Sequence, residues 1–491
     1  MVKGIVLLCT LLCSVQYRIS AEGVSLDKES LVSAVSSIPE FDYDLTLTVQ
    51  AQDANVVIQS KALTVDPNGG VYWSGLFQGT VDFDPSSETD FVTAPSSMAV
   101  FVGKFDPDMN YLWTVALPTQ WESTSHKIPL DKQGNLYVAH DSEVTKISPD
   151  GTVSWTRQFK NGASFLYIND LCFDKDDNFF MAGIFKGTND FDPTDEVDAY
   201  TTQDNAYIYI TKLNQDGTYA WTRTYGKQNA NLKVSVLTTN SQGHVITAGH
   251  FRGPGKVAFD PANPAESSGD WDIFILDLDP NGIFQWYQRI GGSDWDVLFD
   301  LCTDTDDNLY LTGGYSLLVD FNPDGGEDYF WTETPKTGEC FLTQLTPEGR
   351  YGWTRTITPS SSKTRTAGVT VKTDAQDNLL ILTECTAQPP YTKSPTSDLL
   401  LTVFNTQGVC LQQASLLNLV NTTLQDNYTY VAFIPWTWPM ALTTSGDLLI
   451  AGQFMGNPDM NPFSASDVHW CVGGCDGFLM RLLDTSGVTL P

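Results

Sequence analysis

One unit recurs seven times along this 491-residue chain, and that self-similarity limits the fold more than any other feature. Each copy carries a short apolar strand and then a turn. The turns are Asp66-Pro67-Asn68-Gly69, Asp131 to Asn135, Asp174 to Asn178, Asn240 to Gly243, Asp304 to Asn308, Asp374 to Asn378 and Thr444 to Asp447. A second strand, an excursion of variable length, a third strand and a second turn such as Pro149-Asp150-Gly151 follow. The fourth strand carries a tryptophan four residues past the turn glycine: Gly151 and Trp155, Gly217 and Trp221, Gly282 and Trp286, Gly349 and Trp353. Trp113 keeps that register with Met109 in the glycine place, and Gln412 replaces the tryptophan after Gly408.

Four short alternating strands joined by Asp/Gly turns describe one antiparallel sheet. A single such sheet leaves both faces bare. Packing seven of them radially covers the faces and closes a ring, so the fold expected is all-β: a single seven-bladed β-propeller of four-stranded sheets. The blades fall at about 61–117, 126–159, 168–226, 233–292, 297–358, 366–417 and 436–487. The seventh runs out of chain before its fourth strand, and Phe41 to Gln50 (41–50) reads as the missing one, which would remove an open edge.

The excursions share a motif. Gly75 to Pro85 and Gly183 to Pro193 read Gly-x-Phe-x-Gly-Thr-x-Asp-Phe-Asp-Pro, with weaker versions at Gly249 to Pro261, Gly313 to Pro323 and Gly452 to Pro462. In this the chain resembles secreted β-propeller-repeat proteins of the bacterial SBBP type. The second and sixth units lack the motif. The resemblance implies the fold and export, and it transfers no activity, because propellers host many unrelated functions.

The chain start agrees with export. Lys3 is followed by the apolar run Ile5 to Val15 and then polar residues, which suits a signal peptide over 1–21, with 22–40 a linker before the propeller at 41–491. No other stretch approaches the ~18 uninterrupted apolar residues of a membrane span. Secretion also makes surface glycosylation an expectation at the sequons Asn421 and Asn427. Cys9 and Cys13 leave with the leader. Among the seven remaining cysteines, a local Cys471 to Cys475 disulfide is expected first and Cys385 with Cys410 second. Cys172 and Cys302 occupy equivalent inner positions of blades three and five, which are not neighbours, so they should stay free thiols. Their register follows Leu63, Ile128, Leu171, Leu237, Leu301, Val371 and Leu442, read as an apolar ring.

Acidic residues number 59 against 27 basic ones, a formal net charge of -32. Such a surface repels a phosphate backbone, which excludes nucleic acid and leaves an extracellular protein or a glycan as the partner. Cations also become natural ligands. The turns Asp174 to Asn178 and Asp304 to Asn308 have the look of calcium loops but align with the plain turn at Asp131 to Asn135, so they read as hairpins. The motif acids are the better metal candidates: Asp82, Asp84, Asp190 and Asp192 as pairs, with Asp260, Asp320 and Asp459 as single acids on the same ligand face. Phe packing and Asp-Pro turn capping explain the same residues without a metal. Calcium is the one cofactor the acids suggest.

Catalytic patterns are scarce. There are five histidines, no Gly-x-Ser-x-Gly elbow, no His-Glu-x-x-His helix and no phosphate-cradling glycine loop. The expectation is therefore a secreted, non-enzymatic binding or scaffold propeller of an extracellular matrix or cell surface. Two alternatives stand beside it: a carbohydrate-active enzyme using carboxylates at the channel mouth, and an acidic calcium- or mineral-associated structural protein.

Overall fold

The computed structural model describes residues 41–51, 56–120, 125, 127–159, 165–194, 196–203, 205–260, 262–332, 338–357, 364–387, 397–418, 438–454, 460–461, 467–469 and 475–485. Every regular element among them is a β-strand. They form a seven-bladed propeller of mainly four-stranded antiparallel sheets. Blade one pairs Ile58–Val65, Val71–Phe77, Met98–Phe105 and Tyr111–Thr119 in that order. Blades three to six repeat the order, beginning at Phe165, Asn231, Val297 and Thr364. The second strand of blade one is buried at all seven positions, whereas the fourth is half-buried. A middle strand is covered on both faces by neighbouring blades, so it is buried without a break, and the outermost strand is not.

The N-terminal strand closes the ring. Phe41–Ala51 lies antiparallel to Asp476–Asp484, from Phe41 opposite Asp484 to Val49 opposite Gly477, and so supplies the fourth strand of blade seven. Beyond that, Gln50 and Ala51 pair with Asp82 and Val81 of blade one. Arg481 of blade seven donates to the Pro107 carbonyl of blade one at 2.9 Å.

Blade two departs from the four-strand expectation. Its sheet has three strands, Leu136–His140, Glu143–Ile147 and Val153–Gln158. Its inner segment contributes only an isolated Leu130–Leu136 bridge and a bond from the Tyr137 amide to the Pro129 carbonyl. Pro129 has no N–H to give the ladder, so the segment follows the strand path without becoming one.

A bulge recurs in the first strands, between Ser60 and Ala62, Ile168 and Asp170, Val234 and Val236, Leu298 and Asp300, and Gly368 and Thr370. The inserted residue re-aims the chain toward the axis. Lys61, Ser235, Phe299 and Val369, all inserted this way, line the central cavity. Opposite the bulge sits the first glycine of the excursion motif. A Cβ on Gly75 or Gly183 would fall 2.0 or 1.9 Å from the carbonyl oxygen of Gln59 or Tyr167, so only glycine allows the two backbones to meet.

Candidate functional site

The excursion motif builds a hairpin that clips onto the preceding blade. Thr80–Asp82 pairs with Phe91–Thr93, Thr188–Asp190 with Ala199–Thr201, and Leu318–Asp320 with Tyr329–Trp331. In blade five Asp320 and Val319 pair with Gly291 and Gly292, the end of blade four. In blade three the Asn189 side-chain amide donates to the Phe159 carbonyl of blade two at 3.0 Å. Motif phenylalanines Phe83, Phe191 and Phe321 are buried and meet Phe77, Phe185 and Tyr315 edge to face, with ring centres 5.2, 5.1 and 5.3 Å apart.

The motif acids are hydrogen-bonded into these hairpins. Asp82 Oδ1 accepts the amides of Asp84 (3.2 Å) and Asp90 (2.9 Å), and Asp190 Oδ1 those of Asp192 and Asp198 at the same distances. Asp320 Oδ1 takes Asn322 and Asp328, both at 3.0 Å. Asp84 and Asp192 cap the next turn through Ser86 and Thr194. Asp260 accepts from the Ala262 amide and the Asn263 side chain, and these bonds hold its carboxyl below the usual range. A second acid eight residues on, absent from the sequence reading, receives the hydroxyl of a fourth-strand tyrosine: Tyr111 to Asp90, Tyr219 to Asp198, Tyr351 to Asp328 and, from the closing strand, Tyr43 to Asp467. Among the described residues no three His, Cys, Asp or Glu side chains gather as a metal site. Asp459, Cys471, Asn421 and Asn427 lie outside the described residues, as do residues 1–40, where a leader and linker are expected.

The opposite face is held by the first turns. Asp174 Oδ1 accepts the amides of Asp176 and Asn178, and Asp304 Oδ1 those of Asp306 and Asn308, which is the hairpin geometry expected of them. Asp307 receives the amide and hydroxyl of Ser241 in blade four, and Asp377 those of Thr305 in blade five, so neighbouring turns are linked.

Along the axis lies a cavity of 820 Å³ lined from all the blades. Three of its charged groups, Lys127, Asp170 and Asp300, come from the position before the apolar ring, which reads Ala62, Lys127, Asp170, Val236, Asp300, Thr370 and Ala441, and Lys372 follows the ring residue Val371. Lys127 contacts Asp170 at 3.1 Å and donates to the Leu237 carbonyl at 2.7 Å, bridging blades two, three and four. Asp170 accepts the Leu237 amide at 2.7 Å. Asp300 accepts from Thr370, Val371 and Lys372 of blade six at 2.7, 3.1 and 3.0 Å. Burial alone would raise the Asp300 carboxyl, but Lys372 and Lys127 hold it below the usual range. Burial likewise works against the Lys127 charge, and Asp170 and Asp300 more than restore it. The sequence reading passed over Lys127, Asp170 and Asp300 because it followed the apolar column and its successor. A Lys or Asp placed immediately before three of the seven ring positions was the available signal.

Cys172 and Cys302 also line this cavity as free thiols, and burial pushes both well up, outweighing the adjacent lysines. No two described cysteines are joined. The pairing expected second, Cys385 with Cys410, is overturned by register: Cys385 lies opposite Asp398, at the far end of the blade-six sheet from Cys410, which lies opposite Phe404.

No protein-family model matches the chain, so the SBBP resemblance rests on the motif. An uncharacterised WD repeat-containing protein of Acanthamoeba polyphaga mimivirus is 24% identical over 259 residues, covering 46% of this chain. The match spans only 17% of that relative. Among solved structures, the Pan2 WD40 domain of Neurospora crassa is similar over 91% of this chain and 98% of its own, at 8% identity and a TM-score of 0.43. A gluconolactonase from Xanthomonas campestris is similar over 73% of this chain and 85% of its own, at 14% identity and a TM-score of 0.33.

Proposed function

We propose that the chain is a secreted, non-enzymatic binding or scaffold propeller that works in an extracellular matrix or at a cell surface, with a protein or glycan partner. The observation that carries the reading is the employment of the axial charges: Lys127, Asp170, Asp300 and Lys372 are engaged with neighbouring blades. Groups used to hold a ring together are not presented to a substrate, so the cavity wall reads as a hub of the scaffold. Export is supported by the leader-like start and by the motif resemblance. Expression of the full chain in a secreting host, followed by N-terminal sequencing of the medium fraction, tests it. Recovery only from the cells, with the leader intact, would defeat the extracellular assignment.

The carbohydrate-active alternative has one observation in its favour. Asp272 and Asp296 lie on either side of Gly291-Gly292: a Cβ on Gly291 would fall 2.6 Å from Asp272 Oδ1, and the Gly292 amide donates to Asp296 Oδ2 at 2.7 Å. Burial and the nearby acids raise Asp296 to about 7, as a general acid requires. Both side chains are fully buried at the seam of blades four and five, so a glycosidic oxygen has no access to them. Release of reducing ends from a polysaccharide panel, abolished by Asp296→Ala, would reverse that judgement.

A further inference from the structure

The hairpins of blades one, three and five are built alike, and blade five breaks the pattern at three positions. In blades one and three a cross-strand threonine pair closes the hairpin, Thr80 with Thr93 and Thr188 with Thr201, each joined hydroxyl to hydroxyl at 2.9 Å. Blade five puts Leu318 opposite Trp331 there. These side chains are 52% and 65% exposed, and Tyr329, two residues from Trp331 and therefore on the same face, is 54% exposed. The residue before Leu318 departs as well. Gly79 and Gly187 hold that place in blades one and three at φ +68° and +92°, whereas blade five has Leu317 at φ +57°. A leucine in the left-handed region costs about 1 kcal/mol or more, and such strain concentrates where a surface is used.

We infer that Leu318, Tyr329 and Trp331 form a docking surface for a cationic segment of a partner protein, rich in arginine or lysine. This rests on the binding-module reading above and gives that module a contact face. Charge complementarity selects the occupant. Asp320 lies opposite Tyr329 across the hairpin, and the connection between them carries Asp324, Glu327 and Asp328, on a chain of net charge -32. Two exposed aromatic rings offer their faces to a guanidinium or ammonium group, which the acids then hold near by. An anionic partner is repelled by the same field. Trp and Tyr are also the side chains that most often anchor protein interfaces.

The double variant Leu318→Thr/Trp331→Thr rebuilds the threonine pair of blades one and three, so it is expected to fold, and it leaves the net charge unchanged. Full-length wild type and variant are titrated at physiological salt with a synthetic arginine-glycine peptide and, separately, with neutral β-linked oligosaccharides, following tryptophan emission and calorimetry. The expected result is binding of the arginine peptide by wild type, weakened roughly tenfold or more in the variant. Equal binding by both proteins would mean diffuse attraction to an acidic surface and would overturn the site. Oligosaccharide binding that the variant loses, or a wild-type dimer that the variant converts to monomer, would overturn the cationic occupant. None of these outcomes bears on export or hydrolysis, so failure here is separable from failure of the scaffold reading.

Discussion

The indole of Trp286, on the fourth strand of blade four, covers Gly349 in a turn of blade five so closely that a Cβ there would fall 2.6 Å from its ring, while its Nε1 donates to the Pro347 carbonyl at 3.1 Å. The same latch joins Trp113 to Gly151, Trp221 to Gly282 and Trp353 to Gly408. Their indoles donate to the carbonyls of Pro149, Pro280 and Thr406. Each partner lies in the next blade along the chain.

Gly349→Ala should therefore weaken the ring twice over, because the site has φ +75° and the methyl meets the indole. The expected loss is about 2–4 kcal/mol, read from urea denaturation. Trp286→Phe, which keeps a ring but loses the donor, should cost less, about 1–2 kcal/mol. A Gly349→Ala variant as stable as wild type would show that the latch contributes nothing.

This latch also shows what the sequence could and could not convey. The Gly and Trp four residues apart were plain as a register, yet they belong to different contacts: in blades four and five the glycine is covered by the preceding blade's tryptophan while its own tryptophan reaches forward, and in blade three Gly217 meets Arg157 instead. Repetition reveals a unit but not which neighbour a residue serves. The motif acids have partners that their spacing does not announce. Asp82 and Asp84 look like a paired ligand set in one dimension, and folding turns Asp82 toward the amides of Asp84 and Asp90. Blade two could be built without a motif on paper because the docking of an excursion onto the preceding blade leaves no mark within its own repeat. The strand count of blade two was over-read for a local reason, the missing amide of Pro129.

Ring closure by the N-terminal strand predicts a cooperative loss. Removing residues 22–51 while keeping residues 1–21 takes away the fourth strand of blade seven and the pairing of Gln50 and Ala51 with blade one. The truncated chain should melt well below wild type, with blades one and seven losing amide protection first in hydrogen exchange. A milder variant, Arg481→Met, loses the bonds to Asp44 and Pro107 and should cost about 1–3 kcal/mol. An unchanged melt of the truncated chain would mean that the ring closes some other way.

For the motif acids the hydrogen bonds predict a graded series. Asp82→Ala strands two amides and should cost about 1–3 kcal/mol, whereas Asp82→Asn keeps a carbonyl acceptor and should cost much less. Both losses should be the same in millimolar calcium and in chelator. A calcium-dependent rise in melting temperature that disappears in Asp82→Asn/Asp190→Asn would instead return these acids to metal binding.

Asp296 predicts the pH dependence of the blade four to five seam. Burial raises its carboxyl from 3.8 to about 7, with the Asp272 and Asp294 charges adding to the effect and the amides of Gly292 and Ser316 opposing it. The charged groups around it are Asp272, paired with Arg289, and Asp294, which accepts the Ser316 hydroxyl. Because the folded value exceeds the unfolded one, the native chain holds a proton between those limits that the unfolded chain has released. The stability from this group is therefore fully present below about pH 4 and is lost as the pH rises through about 7. Asp296→Asn removes the titration but turns its NH2 toward one of the amides of Gly292 and Ser316, so the expected signature is in the slope: its stability relative to wild type should rise by on the order of 2 kcal/mol from about pH 5 to pH 8. Denaturant titrations of both proteins at several pH values within that span supply the comparison. Parallel stability curves would place Asp296 in its ordinary ionised state and remove the seam as a source of pH sensitivity.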